Sequence, residues 1–477
     1  MSLKQTRREF IRNISHISVG TLAAGTTISL LSSCGNKAKK RKPNIIYILA
    51  DDLGYGDLGC YGQERIQTPN IDRLAAEGIR FTQHYAGSTV CAPSRCSLMT
   101  GLHTGHAAIR GNSRVDPMGQ KPLPAEETTV ADVLKKAGYA TALIGKWGLG
   151  GPDTEGEPGK HGFDYFFGYL CQRHAHNYYP EFLFRNTERV PLSNVVDNDR
   201  TDGAGEATVK KEYAHDLIMD DALSYIEKNQ KNPFFLYLSP TIPHANNEAG
   251  DHGMEVPTDA PYSEKDWRQQ EKNFAAMVTR LDEGVGKIMK KLKQLGLDHD
   301  TIVLFTSDNG PHREGGHDPD FFDSNGKLRG IKRDLYEGGI RVPLIARWKG
   351  VIEPDQVSDH VSAFWDFLPT AAEIAGTSFP NNIDGISFLP TLLNKSQKKH
   401  DHFYWEFHEG ESSHQAVRSA KWKGVRFSPK GKLELYDLSA DVEEKNNVAD
   451  QHPEIVQKLE KTLAEAHTES ELWKLKQ

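Results

Sequence analysis

The sequence predicts an α/β fold with a large, mainly parallel sheet sandwiched by helices, and a smaller C-terminal antiparallel sheet with one helix. Four short apolar runs rich in β-branched and aromatic residues predict buried strands: 43–50, 139–144, 234–238 and 301–306. Amphipathic stretches with helical spacing alternate with them: 70–77, 129–136, 216–228 and 274–295. Such alternation is typical of a parallel sheet covered by helices on both faces.

Residues 1–33 are predicted to be an export signal of the lipoprotein type. Arg7-Arg8 is typical of a twin-arginine motif, and an apolar run of small residues extends from Ile14 to Leu31. Leu31-Ser32-Ser33-Cys34 resembles a lipoprotein cleavage box. Residues 34–42 would then be a basic tether, and a lipid on Cys34 would be the one attachment to a membrane. We expect an exported, lipid-anchored protein in the periplasm or outer membrane of a Gram-negative bacterium; the alternative is a disordered N-terminus with a chance cysteine.

The charge balance argues against a nucleic-acid partner, because the chain carries a formal net charge of −7. An anionic substrate would have to be attracted by a local cluster of cations. Cys60, Cys96 and Cys171 have neither disulfide nor zinc spacing, so we interpret them as packing residues.

Polar residues follow each of the four predicted strands. Asp51-Asp52 follow the first, Lys146 the second, His244 the third and Asp308-Asn309 the fourth. Ligands of open α/β sheets bind outside the carboxyl ends of the strands, so these side chains are expected to converge on one cleft. Carboxylate and amide oxygens suit a hard divalent cation, calcium in particular. Either pair alone is also compatible with a turn or a helix cap.

The stretch from Cys91 to Gly101 combines a thiol, a proline and a cation at the predicted start of a short helix. Pro93 fixes φ and is expected as a first helical residue, and Arg95 lies one turn from Cys91. A buried cysteine and an arginine in an ordinary strand-to-helix turn would be the simpler interpretation.

Cys91-Ala92-Pro93-Ser94-Arg95, followed by Leu98, Thr100 and Gly101, resembles the signature of the formylglycine-dependent sulfatases of the alkaline phosphatase superfamily. With the strand-end motifs, the resemblance extends from Asn44 to about Arg347. It implies that a sulfatase-maturing enzyme converts Cys91 to formylglycine. The metal ligands it implies are Asp51, Asp52, Cys91 (as formylglycine), Asp308 and Asn309. The catalytic residues it implies are Cys91, Arg95, Lys146, His244 and Lys332.

The residues are consistent with sulfate ester hydrolysis. A plain thiolate would leave a stable adduct after attacking sulfur, whereas one hydroxyl of a hydrated aldehyde can attack and the second can then expel sulfate. Calcium would help the attacking hydroxyl lose its proton. Arg95, Lys146 and Lys332 would offset charge on the sulfuryl oxygens, and His244 or Lys332 would protonate the departing oxygen.

One position departs from the family pattern. The family usually has Gly-Lys-Trp-His-Leu-Gly, whereas this chain has Gly148 in place of the histidine that would contact the aldehyde diol. Gly148 could admit another side chain, such as His103, His106 or His317, or it could mean slower turnover.

The expected substrate is a sulfated saccharide. The surroundings of Gly148 resemble a branch of bacterial carbohydrate sulfatases, which implies 4-O-sulfated galactose or N-acetylgalactosamine. Histidine-rich loops with nearby aromatics supply the candidate substrate-binding residues: His174, His176, Asn177, His312, Arg313 and His317. Solvated loops or packing are the alternative interpretation of these residues.

The predicted domains are a catalytic domain over 43–400 and a C-terminal α+β subdomain over 401–477. A helix over 359–376 is assigned to the first. The second should contain a helix over 452–467 and short strands at 403–407, 415–418, 424–427 and 433–436.

Two other functions fit the same residues. One is a phosphodiesterase or phosphonate hydrolase of the same superfamily. The other is a non-catalytic glycan-binding lipoprotein, for which Gly148 is the only indication.

Overall fold

The computed structural model describes residues 41–477; the predicted export signal and Cys34 lie outside the described residues. Within 41–477 there are seventeen strands: β1 (Asn44–Ala50), β2 (Ile79–Tyr85), β3 (Ala140–Lys146), β4 (Tyr165–Tyr169), β5 (Phe182–Arg185), β6 (Glu188–Pro191), β7 (Val195–Val196), β8 (Ala207–Val209), β9 (Phe234–Ser239), β10 (Thr301–Ser307), β11 (Arg341–Trp348), β12 (Gln356–Ser358), β13 (Ser362–Ala363), β14 (Phe403–Phe407), β15 (His414–Ser419), β16 (Trp422–Arg426) and β17 (Glu434–Asp437). The same residues form ten α-helices: α1 (Pro69–Ala76), α2 (Cys91–Thr100), α3 (Val130–Lys136), α4 (Ala214–Lys228), α5 (Gln269–Gln294), α6 (Pro319–Phe322), α7 (Glu337–Ile340), α8 (Phe367–Ala375), α9 (Leu389–Leu392) and α10 (Pro453–Glu465). Short 3-10 helices lie at Gly59–Tyr61, Pro158–His161, His174–His176, Asn247–His252, Phe364–Asp366 and Ala449–Gln451.

The large sheet confirms the predicted fold class. Its strand order is β12-β2-β11-β10-β1-β9-β3-β4-β5-β6, and β13 also pairs with β2. The five neighbours β10, β1, β9, β3 and β4 are parallel, and antiparallel pairs flank them. The four predicted strands are β1, β3, β9 and β10, the central part of this sheet.

Strand β1 shows how the sheet is buried on both faces. Alternate side chains of a strand point to opposite faces. Ile46 and Ile48 pack in one hydrophobic cluster with residues of α1, α4 and α5. Ile45 and Tyr47 pack in another with residues of α2, α3 and α8. Helices therefore cover both faces, and the polar residues Asp51 and Asp52 come only after the last residue of the strand.

Three predicted helix starts were wrong. Helix α5 begins at Gln269 rather than 274, since a polar first turn whose buried Glu271 pairs with His317 precedes the apolar run. The helix predicted over 359–376 begins only at Phe367, because Ser362 and Ala363 pair with β2 and the Asp366 carboxylate accepts from the Ala363 amide. Helix α2 begins at Cys91 rather than Pro93, since the Ser94 amide already donates to the Val90 carbonyl. Proline is tolerated there because first-turn amides have no partner within the helix.

The C-terminal sheet has the order β14-β15-β16-β17, is antiparallel, and packs against α10, as predicted. It contacts the large sheet region through the Trp405 indole, which donates to the Ala86 carbonyl at 2.9 Å. Lys423 is fully buried and bridges Glu337 and Glu444, with both distances 2.9 Å.

Among the helices of residues 41–477, none combines the length and the apolar character needed to cross a bilayer.

Candidate active site

The two carboxylate-containing pairs meet at the carboxyl ends of β1 and β10. The Asp52 amide donates to Asp308 Oδ1 at 3.1 Å, and Asn309 Nδ2 donates to Asp52 Oδ1 at 2.7 Å. Asp51, Asp52, Asp308 and Asn309 are each at most 1% exposed. Residues about 250 positions apart in the sequence thus form one buried cluster of oxygen atoms.

The sheet register brings these pairs together. In the parallel β1–β10 ladder Ala50 lies opposite Ser307, so the residues that follow are neighbours. Asp52 then takes a left-handed conformation with φ of 64°, which is uncommon for a residue other than glycine. Ser307 Oγ fixes this turn by accepting from the Leu53 amide at 2.8 Å.

Helix α2 presents Cys91 to this cluster. Its Sγ lies 3.5 Å from Asp51 Oδ1. Ser94 anchors the helix by donating to the Asp308 carbonyl at 2.6 Å and accepting from the Gly87 amide. Burial raises the pKa of the Cys91 thiol far above its usual value; the nearby Lys146 lowers it, but Asp51 and Asp308 raise it further. An unmodified thiol at this position is therefore protonated and a poor nucleophile.

Two buried cations pair with the carboxylates of this cluster. Arg95, fully buried, directs Nη2 and Nε to Asp308 Oδ2 at 2.7 and 3.0 Å and Nη1 to the Lys146 carbonyl at 2.8 Å. Lys146 Nζ lies 2.7 Å from Asp51 Oδ2. Arg95 thus holds Asp308 in place, while Lys146 is the cation next to both Asp51 and position 91.

His244 and Lys332 form a proton-carrying pair on the other side of Asp52. His244 Nδ1 must carry a proton, because its partner at 2.6 Å is the Ala245 carbonyl, which can only accept. Its Nε2 then accepts from Lys332 Nζ at 3.1 Å. Burial and the Lys332 charge lower the pKa of His244 well below its usual value. Burial opposes the charge of Lys332, but Asp52 at 2.8 Å and Glu314 at 3.0 Å raise its pKa.

Glu314 belongs to this group and was missed by the sequence analysis. Its carboxylate binds Lys332 and, through Oε1, Arg333 Nη1 at 2.7 Å. Burial opposes its ionisation, but Lys332 and the neighbouring histidines together outweigh burial and lower the pKa of Glu314. Its partners are 18 and 19 residues away in the sequence, so no short motif marked it.

The donor set fits a hard divalent cation. Asn309 Oδ1 is buried and has no hydrogen-bond partner among residues 41–477, although Nδ2 of the same amide is satisfied. Burial, and after it the neighbouring Asp51, raise the pKa of Asp308 to about 6, and a bound cation would favour the ionised carboxylate. An orphaned oxygen beside three carboxylates is the arrangement that oxygen-preferring cations such as calcium require.

Of the proposed substrate-binding residues, His176 lies closest to His244. Their rings stack with centroids 4.9 Å apart, and His176 Nδ1 is 3.0 Å from Glu248 Oε2. His312 is buried behind His244, where Nε2 donates to the Pro243 carbonyl and Nδ1 accepts from the Glu314 amide.

The other four proposed residues make structural contacts. His174 is fully buried among Tyr169, Phe182 and Phe184. Asn177 is fully buried and bonds the Gly203 carbonyl and the Tyr179 amide. His317 stacks on Phe274 and binds Glu271, and Arg313 pairs with Asp318 and Asp320 at the surface.

The space beside Gly148 is filled by a residue that the sequence analysis did not consider. His103 and His106 bind Asp384 instead, and His317 binds Glu271. The three atoms nearest to a Cβ built at Gly148 all belong to Gln172.

Comparison with known proteins agrees with this geometry. Residues 43–377 match the sulfatase family, and residues 330–469 match the family described as N-sulphoglucosamine sulphohydrolase, C-terminal. The chain is 32% identical to the N-acetylgalactosamine-6-O-sulfatase of Bacteroides thetaiotaomicron, over 92% of this chain and 97% of that protein.

Two solved structures extend the comparison. One, from work on the metabolism of multiple glycosaminoglycans by Bacteroides thetaiotaomicron, has a TM-score of 0.72 at 30% identity and covers 89% of this chain and 99% of its own. The crystal structure of Ps i-CgsB in complex with k-i-k-neocarrahexaose has a TM-score of 0.75 at 26% identity, with coverage of 89% and 92%.

Proposed function

The chain belongs to the sulfatase family and is a sulfuric ester hydrolase, and on this premise we propose that it removes sulfate from a carbohydrate. In this proposal Cys91 is converted to formylglycine by a sulfatase-maturing enzyme, and Asp51, Asp52, Asp308, Asn309 and the modified residue 91 hold calcium. The observation that carries the proposal is the convergence of position 91, four oxygen-bearing side chains and three cations in one buried cluster.

Formylglycine supplies a hydrated aldehyde whose hydroxyl is the nucleophile, and bound calcium supplies positive charge that favours its ionisation. The protein's own side chains do the rest. Lys146 and position 91 both contact Asp51, so Lys146 is the cation best placed to contact a sulfuryl oxygen. Arg95 has its donors committed to Asp308 and the Lys146 carbonyl, so it acts by orienting those groups.

The His244–Lys332 pair protonates the leaving oxygen of the sugar. Lys332 Nζ carries the proton that points to His244 Nε2, and Asp52 and Glu314 keep this ammonium charged. Because its other two protons are held by Asp52 and Glu314, we assign Lys332 as the proton source and His244 Nε2 as the atom that passes this proton on to the leaving oxygen.

The proposed substrate class is a galactose or N-acetylgalactosamine residue with a sulfate at O4. A 6-O-sulfated sugar is the second candidate, because the Bacteroides thetaiotaomicron relative is named for N-acetylgalactosamine-6-O-sulfate ester hydrolysis. His176, stacked on His244, is the residue best placed to contact the sugar bearing the leaving oxygen.

The test is sulfate release by the matured enzyme from a panel of position-defined compounds. The panel contains 4-O- and 6-O-sulfated galactose and N-acetylgalactosamine, an aryl sulfate and a phosphodiester. We expect the highest kcat/KM with a 4-O-sulfated saccharide. A preference for the phosphodiester would overturn the reaction class, and a preference for the 6-O-sulfate would overturn only the position.

We further propose that the protein is exported and anchored by a lipid on Cys34, in the periplasm or outer membrane of a Gram-negative bacterium. The support is the twin-arginine and cleavage-box pattern in residues 1–34. In the native host the wild type should sediment with membranes and Cys34→Ala should not. Equal sedimentation of the two would contradict lipid anchoring.

A further inference from the structure

Gln172 occupies the space left by the missing side chain at Gly148. A Cβ at Gly148 would meet Gln172 Cγ at 3.2 Å, Nε2 at 3.5 Å and Cδ at 3.7 Å. Gly148 has φ of +78° and lies two residues past Lys146, at the carboxyl end of β3. The carboxamide of Gln172 therefore lies beside the segment that carries the sulfate-facing lysine.

The backbone fixes Gln172 in this place. Strand β4 pairs with β3 in parallel up to Lys146 and Tyr169. Beyond the strand ends the pairing continues, because the Trp147 amide donates to the Tyr169 carbonyl and the Gly148 amide to the Leu170 carbonyl. Gln172 thus reaches Gly148 from the carboxyl end of the adjacent strand, the edge at which Asp51 and Lys146 also lie.

The carboxamide of Gln172 is buried with its nitrogen unsatisfied in the described part of the chain. The residue is 4% exposed, and its Nε2 is buried without a hydrogen-bond partner among residues 41–477. Buried polar atoms in native proteins nearly always have a partner, and those without one call for an explanation such as a missing ligand.

We propose that Gln172 is a catalytic residue whose carboxamide donates a hydrogen bond to an oxygen of the sulfate group held beside Lys146. An amide is a neutral donor, so it can bind a sulfuryl oxygen without acting as a base. The identification of the bound group as a sulfate oxygen rests on the proposed function, whereas the buried, unpartnered Nε2 beside Gly148 is read from the geometry alone.

The test compares Gln172→Met with wild type in two assays, one of which needs no turnover. Methionine keeps the volume and removes the donor. We expect the affinity for inorganic sulfate, measured by calorimetry, to fall about tenfold, and kcat for the sulfated saccharide to fall about 10- to 100-fold. The melting temperature should stay within a few degrees of wild type because no hydrogen bond within the protein is lost.

Gln172→Glu is a second test variant, and Cys171→Ala is the control. Glu has nearly the same shape but repels an anion, so sulfate affinity should fall further even if Gln172→Met folds poorly. Cys171→Ala perturbs the same segment and should leave sulfate affinity and kcat within about twofold. Unchanged sulfate affinity in both Gln172 variants would overturn the inference. Reduced affinity together with no sulfate release by the wild type would keep it and overturn the proposed function instead.

Discussion

The side chain of Asn309 links the structure most directly to metal binding. Its Oδ1 has no partner within residues 41–477, while its Nδ2 is held by Asp52 and the Gly310 carbonyl. The amide is therefore already oriented with its free oxygen available before a cation arrives.

Asn309→Ala should weaken calcium binding without unfolding the protein. The wild-type melting temperature should rise on adding calcium, because a ligand that binds only the folded state stabilises it. The calcium concentration at half-maximal shift should rise at least about tenfold in the variant, since even indirect supports of metal ligands change affinity by this much. Asn229→Ala, which removes an asparagine bonded to the Tyr225 carbonyl at the end of α4, is the control. Equal calcium midpoints for wild type and Asn309→Ala would contradict the metal assignment.

His174, unlike Asn309, is interpreted as a packing residue, because its ring is buried among aromatic side chains. Both ring nitrogens lack partners among the described residues, and burial lowers the pKa of His174 to about 3. The unfolded chain therefore binds one more proton than the folded chain between about pH 3 and 6.5, so this residue makes stability fall as the pH drops below 6.5.

His174→Phe should preserve activity and make the unfolding free energy depend less on pH below about 6.5. Phenylalanine suits a site among Tyr169, Phe182 and Phe184 and leaves no polar atom buried. Between neutral pH and pH 5 the unfolding free energy of both proteins should fall. The fall should be about 2 kcal/mol smaller in the variant than in the wild type. Denaturant titrations at pH 5 and 7 measure this difference. A large loss of kcat/KM would instead support the substrate-binding role expected from the sequence.

At the level of elements, helix α2 determines where position 91 lies. Ser94 ties the helix to the Asp308 carbonyl and to the Gly87 amide. Ser97, on the same helix, is equally buried but its Oγ has no partner among residues 41–477.

Ser94→Ala should destabilise the protein and slow it, and Ser97→Ala should do neither. The first change leaves a buried amide and a buried carbonyl unpaired, at a cost of about 1–3 kcal/mol each. The second removes a hydroxyl that makes no hydrogen bond. Thermal unfolding and kcat on the best panel substrate distinguish the two variants. Similar losses for both would mean that the helix is not held through Ser94.

The central elements were predictable because their signals are local. An uninterrupted apolar run such as Ile45–Leu49 predicts a strand buried on both faces, and the register follows once β1 and β10 are neighbours. The start of α8 could not be predicted from local sequence. Ser362 and Ala363 form a strand instead of helix because they pair with His84 and Tyr85, nearly 280 residues earlier in the chain. Glu314 and Gln172 were missed because no local signal marks them. Glu314 is distinguished by ion-pair partners 18 and 19 residues away, and Gln172 by a buried nitrogen without a hydrogen-bond partner among residues 41–477.

For the whole molecule, the contact between the large sheet region and the C-terminal sheet contains a buried charge cluster. Lys423 is fully buried between Glu337 and Glu444, and Glu337 also accepts from the Tyr85 hydroxyl. Burial opposes ionisation of Glu337, but Lys423 and Arg341 outweigh it and lower its pKa to about 2.

Lys423→Met should cost about 3–5 kcal/mol of unfolding free energy, because it removes the buried lysine that lies between the two carboxylates of Glu337 and Glu444. Lys421→Met is the matched control: Lys421 pairs with Asp437 at the surface, and such pairs contribute at most about 1 kcal/mol. Chemical denaturation of both variants tests this. A cost below about 1 kcal/mol for Lys423→Met would show that the cluster does not hold the two regions together.

In the proposed mechanism residue 91, once oxidised, performs sulfate ester hydrolysis in the cluster of Asp51, Asp52, Asp308 and Asn309. The most direct test measures, on the same preparations, the mass of the tryptic peptide 81–95 and the rate of sulfate release from the best substrate of the panel. We predict that the rate rises in proportion to the fraction of peptide lighter by about 18 Da, the loss expected when the thiol becomes an aldehyde, and that Cys91→Ala releases no sulfate. Equal rates from fully converted and wholly unconverted protein would contradict the account.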